Sequence, residues 1–229
     1  GYAVRSGARS FLYGLTRSRL APSPIQGPTK GYFKRLARMS ASYSFVSDFA
    51  MLFLGGGLKR KEKLSGRFAD ALSYMYLCSA ILKRFEDTGR LAEDLPLVEW
   101  SAKYCLYNVQ DALDEILRNF PSVFFGQILR IIVFPTGKSL RYPNDQVGHR
   151  VAKMLIEPSE ARDRLTHGIF KSVDPQDPIG RVQYAFNAVI AAKEAERKLK
   201  KAGIFPPELG QPNNWLEGAV TQGVITEQE

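Results

Sequence analysis

One repeated pattern constrains this chain more than any other. Leu36, Met39, Tyr43, Val46, Ala50 and Phe53 recur at intervals of 3, 4, 3, 4 and 3 residues, which lays apolar side chains along one side of an α-helix. The run predicts a helix of about 20 residues, ended by Gly55–Gly57. The pattern returns in Leu64, Phe68, Leu72, Met75, Ser79 and Leu82 and continues to Asp87, where Gly89 stops it. After Pro96 it returns again in Val98, Ala102, Cys105, Val109, Ala112 and Ile116, and Pro121 closes it. Long amphipathic helices on short connections predict an antiparallel bundle. No stretch sustains the period of two that a strand would need. The expected fold class is all-α: an antiparallel helical bundle of three to four long helices with extra short helices.

Shorter elements complete the expectation. Residues 22–31 read as a Pro/Gly loop. The apolar run Val123–Phe134 is expected to pack on the bundle, FPTGKSLRYPND to be loop, and Asn144 or Asp145 to cap a helix reaching Ile156. Glu157-Pro158 starts a short helix. Asp177-Pro178, a cap followed by proline at the first helical position, launches another with Ile179, Val182, Phe186 and Val189 inward. A last short helix is predicted over Asn214–Val224. The expected organisation is a basic connecting segment over 1–31, a helical bundle over 32–156 and a C-terminal helical extension over 157–229.

At 229 residues, 45% hydrophobic and 24% charged, the chain has the make-up of a folded protein, not a disordered one. Its two cysteines, Cys78 and Cys105, supply neither a disulfide framework nor a zinc set, so a reducing compartment is the default. The +9 charge is unevenly placed: residues 1–38 hold eight cations and no acid. Such a segment can face an anionic membrane, a nucleic acid or an acidic partner. Residues 1–25 lack the apolar core of a signal peptide. The 12-residue run Val123–Phe134 is too short for a span of about 20 residues. The chain opens without Met and closes on the capping-box pattern Thr226-Glu-Gln-Glu229, and the expectation is a segment of a longer protein.

The stretch LGGGLKRKEKLSGRF carries the densest charge. A phosphate-cradling P-loop would need G-x-x-x-x-G-K-[ST]. Gly55–Gly57 lack that ending, and Gly137-Lys138-Ser139 has Ile132 where the first glycine belongs. The triple glycine therefore reads as a tight turn between helices. Lys59, Arg60, Lys61 and Lys63 are then expected in the first turns of the following helix, where the helix dipole disfavours positive charge. They form an exposed basic patch and a candidate contact for an anionic surface. His149 and His167 have no G-x-S-x-G or H-E-x-x-H around them. Asp70 reads as an ion-pair partner across the bundle. Glu99, Asp111, Asp114 and Glu115 fall mostly off the apolar stripe, and Tyr74, Tyr76, Tyr104 and Tyr107 read as bundle core. No catalytic, cofactor-binding or metal-ligating residue is assigned.

The run LGGGLKRKEKLSGRFADALSYMYLCSAILKRFEDTGR, continued by EDLPLVEW, NFPSVFFGQILRIIVFPTGK and HRVAKML, resembles the C-terminal region of the bacterial long-chain acyl-CoA dehydrogenases, the large fatty-acid β-oxidation type. The resemblance implies a parent flavoenzyme that uses FAD to convert acyl-CoA to trans-2-enoyl-CoA and passes electrons to an electron-transfer partner. The catalytic glutamate and flavin contacts of that family lie upstream, and none is carried over here. The resemblance further implies that 1–31 connects to an upstream dehydrogenase core. The segment would bind no FAD alone and would support that core, a homodimer and docking at the inner-membrane surface from the cytoplasmic side.

Two other functions stand beside it. A free-standing basic helical adaptor binding nucleic acid or an acidic partner would use the Lys59–Lys63 run and the N-terminal arginines. No helix-turn-helix or other reader motif accompanies them, so nucleic acid is not the expected partner. Alternatively, Phe124, Phe125, Ile128 and Ile131 could extend an acyl channel of the core, against the simpler reading of a buried helix.

Overall fold

A computed structural model describes residues 1–170, 172, 174, 176–206 and 215–226. The capping-box residues 227–229, the loop residues 207–214 and the expected start of the last helix at Asn214 lie outside the described residues. The described residues contain helices and turns and no strand, so the fold is all-α. The chain divides into two compact units, Gly1–Ile156 and Glu157–Glu229.

The first unit is built from α1 (Tyr2–Leu15), α2 (Lys30–Leu54), α3 (Glu62–Asp87), α4 (Leu95–Arg118), α5 (Val123–Val133) and α6 (Asp145–Ile156). α4 is the central helix and touches α2, α3, α5 and α6. Its buried face is broader than the sequence stripe, adding Leu106, Gln110, Leu113, Asp114 and Leu117 to Val98, Ala102, Cys105, Val109 and Ile116. On α3 the inward row is Leu64, Phe68, Ala71, Met75, Cys78, Leu82 and Phe85. Leu72 and Ser79, expected on it, give way to Ala71 and Cys78; Leu72 is exposed. The smaller pair lets α3 lie close to α4, the most extensive helix contact in the unit. Burial pushes the Cys78 thiol up to about 12, with Cys105 adding to it, and raises Cys105 as well. Both thiols are therefore poor nucleophiles.

The segment 1–31, expected as a connecting stretch, contains α1, which packs on α2 and α5. Its inward side is Ser6, Gly7, Ser10 and Gly14, all small. The Ser10 and Ser42 hydroxyls meet at 2.8 Å. A Cβ at Gly7 would lie 2.8 Å from the Phe45 ring, and one at Gly14 2.7 Å from Pro135. The helix ends in a Schellman turn, with Ser18 N–H donating to Tyr13 O at 2.7 Å and Arg17 N–H to Gly14 O at 3.1 Å. Both Arg17 and Ser18 take positive φ, 48° and 69°, a conformation that costs a non-glycine residue roughly 1 kcal/mol or more.

α5 packs on the bundle, as expected, but with one side only. Gly126, Leu129 and Val133 face the bundle, while Val123, Phe124, Ile128 and Ile131 are exposed. Phe125 turns inward against Phe49 and Phe53.

The second unit contains α7 (Glu160–Thr166), α8 (Pro178–Lys201) and α9 (Trp215–Thr221). Asp177 caps α8, its Oδ2 accepting from Ile179 and Gly180 N–H at 3.1 Å each. The inward face expected for α8 is not the one observed. Ile179, Val182 and Val189 are exposed, and Phe186 lies under the Arg162 guanidinium, 4.2 Å from its ring centre. The core of this unit gathers instead at the far end of α8, where Ala195 and Leu199 meet Ala219 and Ile225.

Candidate functional site

The expected basic patch is exposed, but its setting differs from expectation. Gly55–Arg60 forms a 3-10 helix and α3 begins only at Glu62. Lys59 and Arg60 therefore sit in the last turn of the 3-10 helix, where positive charge is favoured, Lys61 is the N-cap of α3, and Lys63 alone of the four lies in its first turn. All four are exposed. Met51 and Leu52 precede them with exposed side chains. Phe53 packs on Phe125, which brings the start of α5, with its exposed Val123 and Phe124, beside this end of α2. The patch is thus a basic turn next to exposed apolar side chains.

The other expected residues fall as follows. His149 and His167 are exposed and lie in different units. Asp70 is exposed, and an ion pair between α3 and α4 is made instead by Arg67 and Glu115 at 2.8 Å, because Arg67 lies about one turn from the inward Leu64 and Ala71. Trp100 stacks on Tyr104, which meets Tyr74 and Tyr142 edge-on, and Tyr107 also meets Tyr142. Tyr76, expected in the core, points outward instead. No group of three or more His, Cys, Asp or Glu side chains that could hold a metal ion occurs among the described residues.

A second, more structured feature escaped the sequence reading. The loop between α5 and α6 is fastened to α4 by polar side chains. Gln110, fully buried, accepts from the N–H groups of Ser139 and Leu140 at 2.9 Å and donates to Leu140 O at 3.0 Å. One turn later, the buried carboxylate of Asp114 binds Arg118 and Arg130 at 3.0 Å and Lys138 at 3.3 Å. Burial works to lower the Lys138 ammonium, but its hydrogen bonds to Asp111 and Asp114 outweigh that and hold it above its ordinary value.

The fastened loop faces a row of arginines. Arg38 of α2 is fully buried, and its Nη1 donates to Ser139 Oγ at 2.8 Å. Among the described residues its Nε and Nη2 have no hydrogen-bond partner, and neither does the buried Ser18 Oγ. Burial, and after it the Arg17 charge, lowers the Arg38 guanidinium to about 10. Ser139 helps to wall a recess of about 280 Å³ with Arg17, Ser18, Arg35, Lys138, Leu140 and Arg141; Arg38 lies behind that wall and does not line it. A neighbouring recess of about 350 Å³ shares Arg35, Ser139 and Arg141 and adds Leu106, Tyr142 and Asn144. The sequence held one signal for this: an arginine, Arg38, at four-residue spacing from Ser42 and Val46 on the inward side of α2.

These features define an all-α bundle domain that presents exposed apolar helix faces, a basic turn and a cation-walled recess. Across residues 1–229 the chain matches the family described as acyl-CoA dehydrogenase, C-terminal, bacterial type, and it belongs to that family. No solved structure matches it. Acyl-CoA dehydrogenases generally use FAD. The recess does not fit a flavin ring: cations and hydroxyls dominate its wall, and the flat apolar slot an isoalloxazine requires is missing from it. No flavin chemistry is assigned to these residues.

Proposed function

We propose that this chain is the non-catalytic C-terminal helical domain of an FAD-dependent acyl-CoA dehydrogenase of fatty-acid β-oxidation. It supports the upstream core and a homodimer, and it holds the enzyme at a membrane surface. The observation that carries the reading is the family match over the whole chain.

The surface supports the role of a domain that is packed against. α1 and α5 lie side by side, and both turn large apolar side chains outward: Tyr2, Val4, Leu12 and Leu15 on one, Val123, Phe124 and Ile131 on the other. Exposed apolar surface on this scale marks protein or membrane contacts. Phe124, Ile128 and Ile131 belong to this outward face, which suits docking to the core better than extension of a channel. The turn with Lys59, Arg60, Lys61 and Lys63 beside Met51 and Leu52 has the chemistry of an anionic-membrane contact, where apolar side chains insert and cations meet headgroups. No helix of the described residues is long and apolar enough to cross a membrane, which leaves surface attachment as the mode proposed.

The test is capture from source cells with an antibody raised against this chain. The expected result is a species several times heavier than 25.7 kDa, carrying flavin, oxidising a long-chain acyl-CoA with a dye acceptor, and enriched with membranes until Lys59, Arg60, Lys61 and Lys63 are changed to Gln. A flavin-free band at the chain's own mass would overturn the reading. Salt-sensitive binding of DNA by that band would favour the adaptor instead.

A further inference from the structure

The geometry points to a binding site for a phosphate-class dianion in the recess walled by Arg17, Ser18, Arg35, Ser139 and Arg141 and backed by Arg38. Four guanidiniums, those of Arg17, Arg35, Arg38 and Arg141, converge on this loop, and none has a carboxylate partner among the described residues. The cation that does have carboxylates, Lys138, is already matched by Asp111 and Asp114. The excess positive charge of the recess therefore belongs to the arginines. Arg35 has the Tyr32 ring as a neighbour, 5.4 Å away, which orients the guanidinium and does not neutralise it.

Burying a guanidinium with two donor atoms unpaired is costly, and buried charge in folded proteins is ordinarily matched. Here Arg38, whose unmatched donors are closed off from solvent, bonds Ser139 of the recess wall, and Ser18, whose buried hydroxyl is also unmatched, belongs to that wall. The walls are fixed in position. Ser139 is held by Arg38 and Gln110, and Arg17 and Ser18 by the strained turn that ends α1. Strain of this kind concentrates at ligand sites. Guanidinium forks match the oxygen pairs of phosphate, and a dianion offsets more of the clustered charge than a carboxylate does. The adjoining recess with Leu106 and Tyr142 has room for the organic part of a phosphate ester, so the dianion can come from free phosphate or from an ester.

The experiment is isothermal titration of the full 229-residue chain in a low-salt amine buffer. Inorganic phosphate, AMP and acetate are titrated separately, with chloride holding ionic strength constant. Saturable phosphate binding is expected, at least ten-fold tighter than acetate. Arg17→Gln with Arg141→Gln, both at exposed positions, should weaken it at least ten-fold, while Lys59→Gln with Lys61→Gln leaves it unchanged. AMP binding more tightly than phosphate, with the gain lost in Tyr142→Ala, assigns an ester as the source; equal affinities assign free phosphate. Acetate binding as well as phosphate overturns the proposal in favour of a carboxylate. Absence of saturable binding, or equal binding by the Arg17/Arg141 variant, also overturns it. The variants avoid Arg38, so the result does not depend on whether the core tolerates its loss.

Discussion

The side-chain amide of Gln110 pairs with the backbone of Leu140 as a neighbouring strand would: Oε1 accepts from its N–H at 2.9 Å and Nε2 donates to its carbonyl at 3.0 Å. Oε1 accepts from Ser139 N–H as well. One helical side chain thus fixes the loop that walls the arginine recess.

Gln110→Leu keeps the volume and removes all of these bonds, leaving backbone groups unpaired. It should destabilise the chain by about 2–3 kcal/mol in urea unfolding and accelerate amide exchange at Ser139 and Leu140. Unchanged exchange there would show that the loop is held by other contacts.

Two glycines predict opposite outcomes. A Cβ at Gly126 would stand 2.6 Å from Leu117 O and 3.3 Å from Phe120 Cβ, whereas one at Gly56 meets nothing within 4 Å. Gly126→Ala should cost about 1–3 kcal/mol through overpacking between α5 and α4. Gly56→Ala should gain about 0.4–1 kcal/mol by restricting the unfolded chain. Thermal melts of the two variants should move in opposite directions.

Asp114 binds three cations while itself almost fully buried. Asp114→Asn should cost about 1.5–3 kcal/mol, the range for hydrogen bonds to charged groups, because Arg118, Arg130 and Lys138 reach solvent and can rehydrate. A double-mutant cycle with Arg130→Met should show coupling. Strict additivity would mean that Arg130 contributes through packing alone.

Glu99 ties α4 to α6 through Arg150 at 3.1 Å and pairs within α4 with Lys103. The Lys103 hydrogen bond, against the opposing effect of burial and with help from the Lys103 and Arg150 charges, holds its carboxyl below the ordinary value. A depressed carboxyl contributes stability that is present above its unfolded pKa, about 4.3 for glutamate, and is lost as pH falls through the folded value. The wild-type chain should therefore melt higher than Glu99→Gln at pH 7, and the gap should narrow progressively as pH falls below about 4.3. A gap that does not change with pH would assign the effect to side-chain shape.

How much of this was legible depends on the size of the inward side chain. Met39, Val46 and Ala50 announced α2 because large or regularly spaced apolar residues mark a buried stripe. Ala71 and Cys78 lost to Leu72 and Ser79 in that reading because the rows lie only one residue apart around α3, and the choice between them is made by α4. The inward face of α8 is hidden in the sequence for a similar reason: among the described residues Ile179, Val182 and Val189 are exposed, whereas the plain-looking Ala195 and Leu199 meet Ala219 and Ile225. α1 gave no stripe at all, since Ser6, Gly7, Ser10 and Gly14 face inward. At the candidate sites, the Lys59–Lys63 turn is a contiguous run and visible in one line of sequence. The recess joins Arg17 to Ser139, which Arg38 holds from 101 positions away, and no local pattern links residues so far apart.

The attachment of α1 through hydroxyls and glycine Cα atoms has a thermodynamic consequence. The apolar carbon that would give this helix a strong hold, in Val4, Leu12 and Leu15, faces away from the bundle. Its docking on α2 therefore yields little water release, and in isolation α1 should be the first helix to open. A partner lying on its outer side would supply the missing dehydration. Association and the stability of α1 would then be a single linked equilibrium.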